Sequence, residues 1–295
     1  MDHVQSLYHD DVSHYKKLIA LVKPGIIFGN IITLSGGYFL AGDTLFSWSV
    51  FLSALLGMAF VIGSGCVLNN YIDRDIDRLM RRTQKRPSAC GLVSLRFALI
   101  YALILGIVGF SLLYVGTNLL TVLIAFIGLF TYVVAYSLWF KRSSRFGTII
   151  GAISGAVPPV IGYTAVADQF NSVAIILFII LFCWQMPHFY AIAIYRRKDY
   201  EAAAIPVLPL CRSIWYTKVN MLFFVVLYVT ATLLLNVIGI AGNLYFIVAL
   251  LTGSIWILMS IRGFYTINTA KWARRMFLFS VFNITLLSVT MIFRV

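Results

Sequence analysis

Long apolar runs, separated by short polar segments, make up nearly the whole chain. A helix needs about 20 mostly apolar residues to cross a bilayer. Nine runs reach that length: 18–41, 46–70, 95–115, 119–139, 146–166, 172–194, 215–239, 242–262 and 275–294. The first is the least uniform, because Lys23, Pro24 and Asn30 lie within it. The pattern predicts an all-α polytopic membrane protein with nine transmembrane helices.

The composition agrees with a membrane protein. Of the 295 residues, 61% are hydrophobic and only 11% are charged, whereas a soluble domain carries roughly 25% charged residues. A soluble core of this size could not hide so much apolar surface. We therefore expect a single transmembrane domain over 18–295, preceded by a polar tail over 1–17. The four cysteines form no CxxC pair, which argues against a disulfide framework or a zinc site.

The basic residues indicate how the chain is oriented in the membrane. With nine spans, one side of the membrane holds the segments 1–17, 71–94, 140–145, 195–214 and 263–274. All but one of the 23 Lys and Arg residues are on that side, the exception being Arg294. The positive-inside rule makes it the cytoplasmic side, so the N-terminus is predicted to be cytoplasmic. The net charge of +13 then reflects topology and contact with anionic lipids, and no soluble domain is predicted that could dock nucleic acid.

The N-terminal tail resembles neither a secretory signal nor a transit peptide. It is polar, and the span that follows it is too long for the apolar part of a signal peptide. Transit peptides are poor in acidic residues, whereas this tail holds three aspartates and three histidines. The bacterial inner membrane is the predicted location.

Two predicted cytoplasmic loops carry most of the polar chemistry. The loop 71–94 follows the second span, and the loop 195–214 follows the sixth. Lys23-Pro24-Gly25 interrupts the first span and Pro158-Pro159 interrupts the fifth. These correspondences predict two four-helix repeats plus a ninth helix. Repeats of this kind place a binding site at their shared interface.

The segment 69–77 holds three of the ten acidic residues of the chain. In a helix, residues four apart share a face, so Asn69, Asp73 and Asp77 would lie together. Crowded carboxylates repel one another unless a cation lies among them, and Mg²⁺ prefers a site that it shares with substrate phosphates. Basic residues follow directly over 78–86. The segment therefore favours a ligand with a diphosphate head and an apolar tail, and a solvated loop with internal salt bridges is the competing interpretation.

The same residues carry a resemblance to a known family. Asn69-x-x-x-Asp73-x-x-x-Asp77, followed by Arg82-Thr83-x-x-Arg86-Pro87, resembles the first signature of the UbiA-type intramembrane prenyltransferases. That superfamily has the same nine-helix plan. The resemblance implies that Asn69, Asp73 and Asp77 bind a prenyl diphosphate through Mg²⁺. It also implies that Arg82 and Arg86 contact the diphosphate.

Four further segments resemble the protoheme IX farnesyltransferases, or haem O synthases, within that superfamily. They are 23–30, 154–163, 184–200 and 204–209. The resemblance implies transfer of a farnesyl group from farnesyl diphosphate to a vinyl group of haem b, with addition of water. The products would be diphosphate and haem O for haem-copper terminal oxidases. Mg²⁺ would be the cofactor and haem b a substrate, and haem A synthase and oxidase assembly proteins stay open as partners.

The second loop departs from the superfamily pattern. Asp199 matches its first acid and joins Asp73 and Asp77 as a predicted catalytic residue and metal ligand. Many members have a second Asp four residues later, but this chain has Ala203. The number of bound metal ions therefore stays open. Lys198 is assigned to the diphosphate, where it would replace some of the positive charge of a second metal ion.

His188 is the only histidine outside the tail. An ionisable residue inside a membrane bundle is a functional candidate by default, and imidazole is a common ligand of haem iron. The resemblance makes His188 and Trp184 candidates for haem binding. The competing interpretations are a hydrogen bond between helices for His188 and aromatic packing for Trp184.

Three other functions compete with this one. An enzyme of the same superfamily with an aromatic acceptor, such as a quinone precursor, is disfavoured by Ala203 and by the segment 184–200. A phosphatidyl-alcohol transferase needs Asp-Gly and Ala-Arg pairs ahead of DxxxD, and neither pair precedes Asp73 in this chain. A transporter predicts polar residues at mid-membrane depth, whereas the charges here cluster at the predicted cytoplasmic rim.

Overall fold

The computed structural model describes residues 14–42 and 46–293, and over these ranges the chain is helical with no β-strand. The predicted tail residues 1–13 and the single predicted outer-side base, Arg294, lie outside the described residues. The helices are α1 (His14–Val22), α2 (Pro24–Leu40), α3 (Trp48–Ile72), α4 (Arg74–Leu79), α5 (Leu95–Gly116), α6 (Leu119–Ser143), α7 (Gly147–Gly155), α8 (Val157–Ala167), α9 (Ser172–Tyr195), α10 (Arg197–Ala202), α11 (Leu208–Cys211), α12 (Ile214–Val237), α13 (Asn243–Arg262) and α14 (Thr269–Thr290).

Seven helices of the described ranges are long and apolar enough to cross a membrane, when α7 and α8 are taken as one. The bent pair α1–α2 gives an eighth candidate if it forms one span. The last predicted run corresponds to α14, which has 22 residues but begins with several bases and does not qualify by its apolar content. The all-helical membrane fold is confirmed, and the count of nine spans stays a prediction.

Two of the predicted spans are broken helices. The first breaks at Lys23, which has left-handed backbone angles (φ 53°), and α1 and α2 meet there at 48°. The fifth breaks at Ala156, slightly before the predicted interruption at Pro158-Pro159. Proline is tolerated in the first turn of a helix, where no N–H is needed for an intrahelical bond. Pro158 and Pro159 therefore fit in the first turn of α8. The repeat arrangement stays a prediction.

Helix α8 lies between the two halves of the core. All nine residues from Val157 to Ala165 are buried. Val157 and Ile161 pack into an apolar cluster with α2, α3, α5 and α6, while Val160 and Tyr163 pack into the larger cluster with α9 and α12–α14. A helix buried all round must be largely apolar all round, which explains the largely apolar sequence of α8.

Close contact between α2 and α8 depends on two glycines. A Cβ atom on Gly37 would lie 2.0 Å from the carbonyl oxygen of Pro159, and one on Gly162 would lie 2.0 Å from that of Leu34. Small residues allow helices to approach this closely in membranes.

Three glycines of α7 spaced four residues apart also serve packing: Gly147, Gly151 and Gly155. A Cβ atom on Gly155 would meet Gln185 of α9 at 2.0 Å, and one on Gly147 would meet the carbonyl oxygen of Phe140 at 2.8 Å.

We expect Gly37→Ala to destabilise the protein by about 1–3 kcal/mol, because the added methyl group meets rigid backbone. Gly29→Ala is the matched control, since it lies in the same helix and nothing lies within 4 Å of its added Cβ. The measurement is thermal unfolding in detergent. Equal midpoints for the two variants would contradict the close crossing.

Candidate active site

The end of α3 presents three polar side chains on one face. Helix α3 ends at Ile72, Asp73 forms the turn, and α4 begins at Arg74. The backbone N–H of Asp73 still donates to the carbonyl of Asn69 (2.9 Å), and that of Asp77 donates to Asp73 (2.8 Å). The four-residue spacing thus survives the break, and the predicted shared face is present. Asp73 is completely buried, and Asn69 and Asp77 nearly so.

A basic side chain contacts one oxygen of each of these residues. Lys23 Nζ donates to Asn69 Oδ1 at 2.5 Å. Arg86 Nη1 donates to Asp77 Oδ2 at 2.7 Å. The third contact is a salt bridge from Lys141 Nζ to Asp73 Oδ2. Buried charges are costly unless they are paired, so these contacts explain how two carboxylates can be buried here.

Asn69 links the two carboxylate positions to α6. Its Nδ2 donates to Asp73 Oδ2 at 2.8 Å and to Ser137 Oγ at 2.9 Å. Because Lys23 can only donate, the Asn69 carbonyl must face Lys23 and its amide must face Asp73. The orientation of the side-chain amide is therefore fixed by its partners.

Asp75, the third acid of the cluster, faces away from the other two. It is 61% exposed, and Arg142 donates to both of its oxygens at 2.6 and 2.7 Å. These hydrogen bonds lower the pKa of Asp75 to about 2, so it is ionised at physiological pH. Asp75 thus belongs to the surface.

The buried residues form the charged end of a cavity of about 610 Å³. Its charged lining comes from side chains of the first half of the chain, with Asn69 among them: Lys23, Asp73, Asp77, Arg82, Arg86 and Lys141. Its other walls are largely apolar and come from α2, α3, α6, α7, α9 and α14. The cavity can therefore accommodate a ligand that has a polar head and an apolar tail.

Part of the cavity wall is π-helical. Residues Thr131–Phe140 of α6 form a π-helix. This conformation is rare in proteins, and where it occurs it is often found at functional sites. Tyr132 and Tyr136 from this stretch line the cavity, while Ser137 contacts Asn69. Lys141 follows immediately, so the π-helix sets the position of the base that pairs with Asp73.

His188 and Trp184 line the cavity from α9. Their rings stack with centroids 4.6 Å apart. His188 Nδ1 lies 2.7 Å from Ser280 Oγ of α14, and Trp184 Nε1 donates to the Ser280 carbonyl at 2.8 Å. The two predicted haem-binding candidates are therefore adjacent, and both are anchored to one residue of α14.

The second loop meets the first and lines the cavity through Tyr200 and residues 205–207, whereas its charged residues do not line it. Asp199 is 8% exposed, and its Oδ1 accepts from the backbone N–H of Arg81 at 3.2 Å. Lys198 is exposed, and neither residue lines the cavity. Ala203 packs against Ile76 in an apolar cluster between the loops. A carboxylate at position 203 would be buried there, which explains why alanine suits this position.

Among the cavity residues that the sequence did not predict as site residues are two bases and two tyrosines next to the carboxylates: Lys23, Lys141, Tyr132 and Tyr136. Lys23 had a signal in the sequence, because a lysine before a proline interrupts an otherwise apolar run. In the sequence, Lys141 is only one of the basic residues that indicate membrane orientation, because it is 68 positions from Asp73 in the chain. Such pairings depend on how distant helices align.

The donor set fits a divalent cation that it shares with a substrate. Asp73 Oδ1 is buried and accepts no hydrogen bond, although Arg142 Nη2 lies 3.8 Å away. Carboxylate and amide oxygens suit Mg²⁺, which usually takes only one or two protein carboxylates together with phosphate oxygens. Consistent with this, the described part of the chain contains no cluster of three His, Cys, Asp or Glu side chains that could form a complete cage.

Comparison with known proteins gives one family. The sequence model of the UbiA prenyltransferase family matches residues 30–283. A protein named protoheme IX farnesyltransferase from Yersinia pseudotuberculosis (serotype O:1b, strain IP 31758) is 50% identical over 276 residues, which cover 94% of each chain. Protoheme IX farnesyltransferase 2 from Pseudomonas aeruginosa (strain UCBPP-PA14) is 49% identical over the same length, 94% of this chain and 93% of that one.

Solved structures share the fold at low sequence identity. A structure described as digeranylgeranylglyceryl phosphate synthase has a TM-score of 0.78 at 20% identity, covering 94% of this chain and 97% of its own. A UbiA homologue from Archaeoglobus fulgidus, bound to GPP and Mg²⁺, has a TM-score of 0.65 at 15% identity, covering 94% and 99%.

A double-mutant cycle tests the buried pairing. We expect Asp73→Asn and Lys141→Met to be coupled by about 1–3 kcal/mol, because each change leaves a buried group without its partner. The exposed pair, changed as Asp75→Asn and Arg142→Met, should couple by less than about 1 kcal/mol. Thermal unfolding in detergent measures both cycles. Additive effects of Asp73→Asn and Lys141→Met would show that the pair is not formed.

Proposed function

The chain belongs to the UbiA prenyltransferase family, and we propose that it transfers a farnesyl group from farnesyl diphosphate to a vinyl group of haem b. Water is added in the reaction, which gives haem O and diphosphate, and haem O would serve haem-copper terminal oxidases. One observation carries the proposal: the 50% identity, over 94% of both chains, to a protein named protoheme IX farnesyltransferase. A cavity with one charged end and apolar walls supports it.

The charged end of the cavity suits the diphosphate head. Four bases line it against two carboxylates, so it carries an excess of positive charge. Arg82 and Arg86 can each bind phosphate oxygens in bidentate fashion. Fixed positive groups that face the departing diphosphate stabilise the charge that develops on it, which is electrostatic catalysis.

Asn69, Asp73 and Asp77 are the residues that would hold Mg²⁺. When bound, the ion supplies charge neutralisation for the diphosphate and orients it. Asp199 as a further ligand and Lys198 as a diphosphate contact stay predictions. The contact of Asp199 with the backbone of Arg81 favours a positioning role, because it holds the loop that carries Arg82.

The apolar walls suit the allylic cation that forms when diphosphate leaves. Tyr132, Tyr136 and Phe277 line the cavity with aromatic surface, which attracts cations and keeps bulk water from the reacting carbon. The electron pair of the haem vinyl group attacks this carbon. Water then captures the cation on the former vinyl group and loses a proton, which leaves a hydroxyl group there.

The topology belongs to the same proposal. We infer nine spans arranged as two four-helix repeats plus a ninth helix, in a bacterial inner membrane with the N-terminus and the active site on the cytoplasmic side. Residues 18–295 form one domain in this proposal. The two broken helices at Lys23 and Ala156 support the repeats, because they fall in the first and fifth predicted spans.

We expect Asp73→Asn and Asp77→Asn each to lower turnover by at least about 100-fold, because the metal and the diphosphate lose a charged ligand. Haem b should still bind to both variants. Asp75→Asn is the matched control, since Asp75 lies in the same segment but is exposed, and it should turn over like the unchanged protein. The assay is formation of haem O from farnesyl diphosphate, haem b and Mg²⁺. Normal turnover by both buried variants would refute the metal site.

Native cysteines test the orientation. Cys211 is exposed at the end of α11, just before α12. In a Cys90→Ser background, a membrane-impermeant maleimide should label Cys211 in inverted vesicles and not in spheroplasts. Ile238→Cys, made with Cys90→Ser and Cys211→Ser, should be labelled in spheroplasts and not in inverted vesicles, because residue 238 follows the other end of α12. Labelling of Cys211 from outside would overturn the proposed topology.

A further inference from the structure

We propose that Nε2 of His188 is an axial ligand of the iron of haem b, and that Ser280 is the positioning residue that keeps this nitrogen unprotonated. The inference rests on the proposed function, because it takes haem b as the acceptor. His188 Nε2 would be the atom that holds haem b, and Ser280 the residue that orients the His188 ring.

The hydroxyl proton of Ser280 is already used within α14. Ser280 Oγ donates to the carbonyl oxygen of Phe277 at 2.6 Å. A carbonyl oxygen can only accept, so the proton lies between these two atoms. Ser280 Oγ is therefore left as an acceptor for its second partner, His188 Nδ1, at 2.7 Å. The proton of this second hydrogen bond must come from His188 Nδ1.

The imidazole ring is neutral in this setting. An imidazolium ion inside the bundle would be a buried charge, which is costly without a partner. No salt bridge to His188 occurs within residues 14–42 and 46–293. A neutral ring with its proton on Nδ1 has a free electron pair on Nε2. That nitrogen makes no hydrogen bond to the described residues.

The surroundings of the ring resemble those of metal-binding histidines. Such a histidine donates its other ring N–H to a fixed acceptor, which sets the tautomer and the ring orientation. Here Ser280 Oγ is the acceptor. Trp184 stacks on the ring and is itself anchored to the Ser280 carbonyl, and the Phe277 ring lies 4.9 Å away on centroids. The ring is thus held from α9 and α14 together.

The depth of His188 fits the chemistry of haem. It lies seven residues before the end of α9 at Tyr195, which is about 10 Å along the helix axis. The iron would lie in the apolar part of the cavity, which suits the macrocycle. The acidic propionates could then extend to the basic residues at the charged end, whose net positive charge matches them.

Three measurements on purified full-length protein test the inference. The first is the iron–histidine stretching band in the resonance Raman spectrum of ferrous haem b bound to the protein. We expect this band in the unchanged protein, its loss in His188→Ala, and its return when free imidazole is added to that variant. A purely structural histidine would not give rescue by imidazole.

The second measurement compares haem b with iron-free protoporphyrin IX. His188→Ala should lower the affinity for haem b by at least about tenfold, in the range known for perturbed metal sites. The affinity for protoporphyrin IX should stay unchanged, because it offers no iron to ligate. Equal losses for both porphyrins would make His188 a packing residue and overturn the inference.

The third measurement concerns Ser280. Ser280→Ala removes the acceptor for Nδ1–H, so the stretching band should shift and haem affinity should fall about 10–100-fold. Ser280→Thr keeps the hydroxyl group, so the band position and the haem affinity should both match those of the unchanged protein. An unshifted band and unchanged affinity in Ser280→Ala would remove Ser280 from the proposal.

The outcomes also separate this inference from the proposed function. Farnesylation of haem b without any iron–histidine band would overturn this inference alone. Prenylation of a different acceptor only would overturn the proposed function itself.

Discussion

Two buried carboxylates require positive partners, and much of the site depends on meeting that requirement. Asp73 is completely buried at the end of α3, where an unpaired charge would be strongly unfavourable. Its partner Lys141 comes from the end of α6, and Asp77 takes Arg86 from the following loop. These pairings bring distant segments to one place. They also leave the cavity with more positive than negative groups, which suits an anionic substrate.

The sequence predicts the helices well because hydrophobic length is a local property. The predicted runs correspond to observed helices, and the spacing of Asn69, Asp73 and Asp77 predicts their shared face. The pairing of Asp73 with Lys141 could not be predicted, because it depends on how α3 and α6 align. The π-helix over Thr131–Phe140 likewise has no signal in the apolar pattern.

The departure at Ala203 shows how structure explains a missing residue. The sequence shows only that this chain has Ala203 where many family members have an aspartate. In the fold, this alanine packs with Ile76 and Met80 between the two loops, so the loops meet through apolar contact here. Asp199 nevertheless links them by accepting the backbone N–H of Arg81. The two halves of the chain therefore meet asymmetrically at the site, with charge mainly from the first half and His188 from the second.

The central claim is that one cavity joins a farnesyl group, a haem vinyl group and water. The most direct test is the mass of the product formed from farnesyl diphosphate, haem b and Mg²⁺ in water enriched in oxygen-18. We expect a haem that has gained one farnesyl group and one hydroxyl group that carries the heavy isotope. A farnesylated haem without the label would contradict the water step, and an unmodified haem beside another prenylated acceptor would contradict the claim itself.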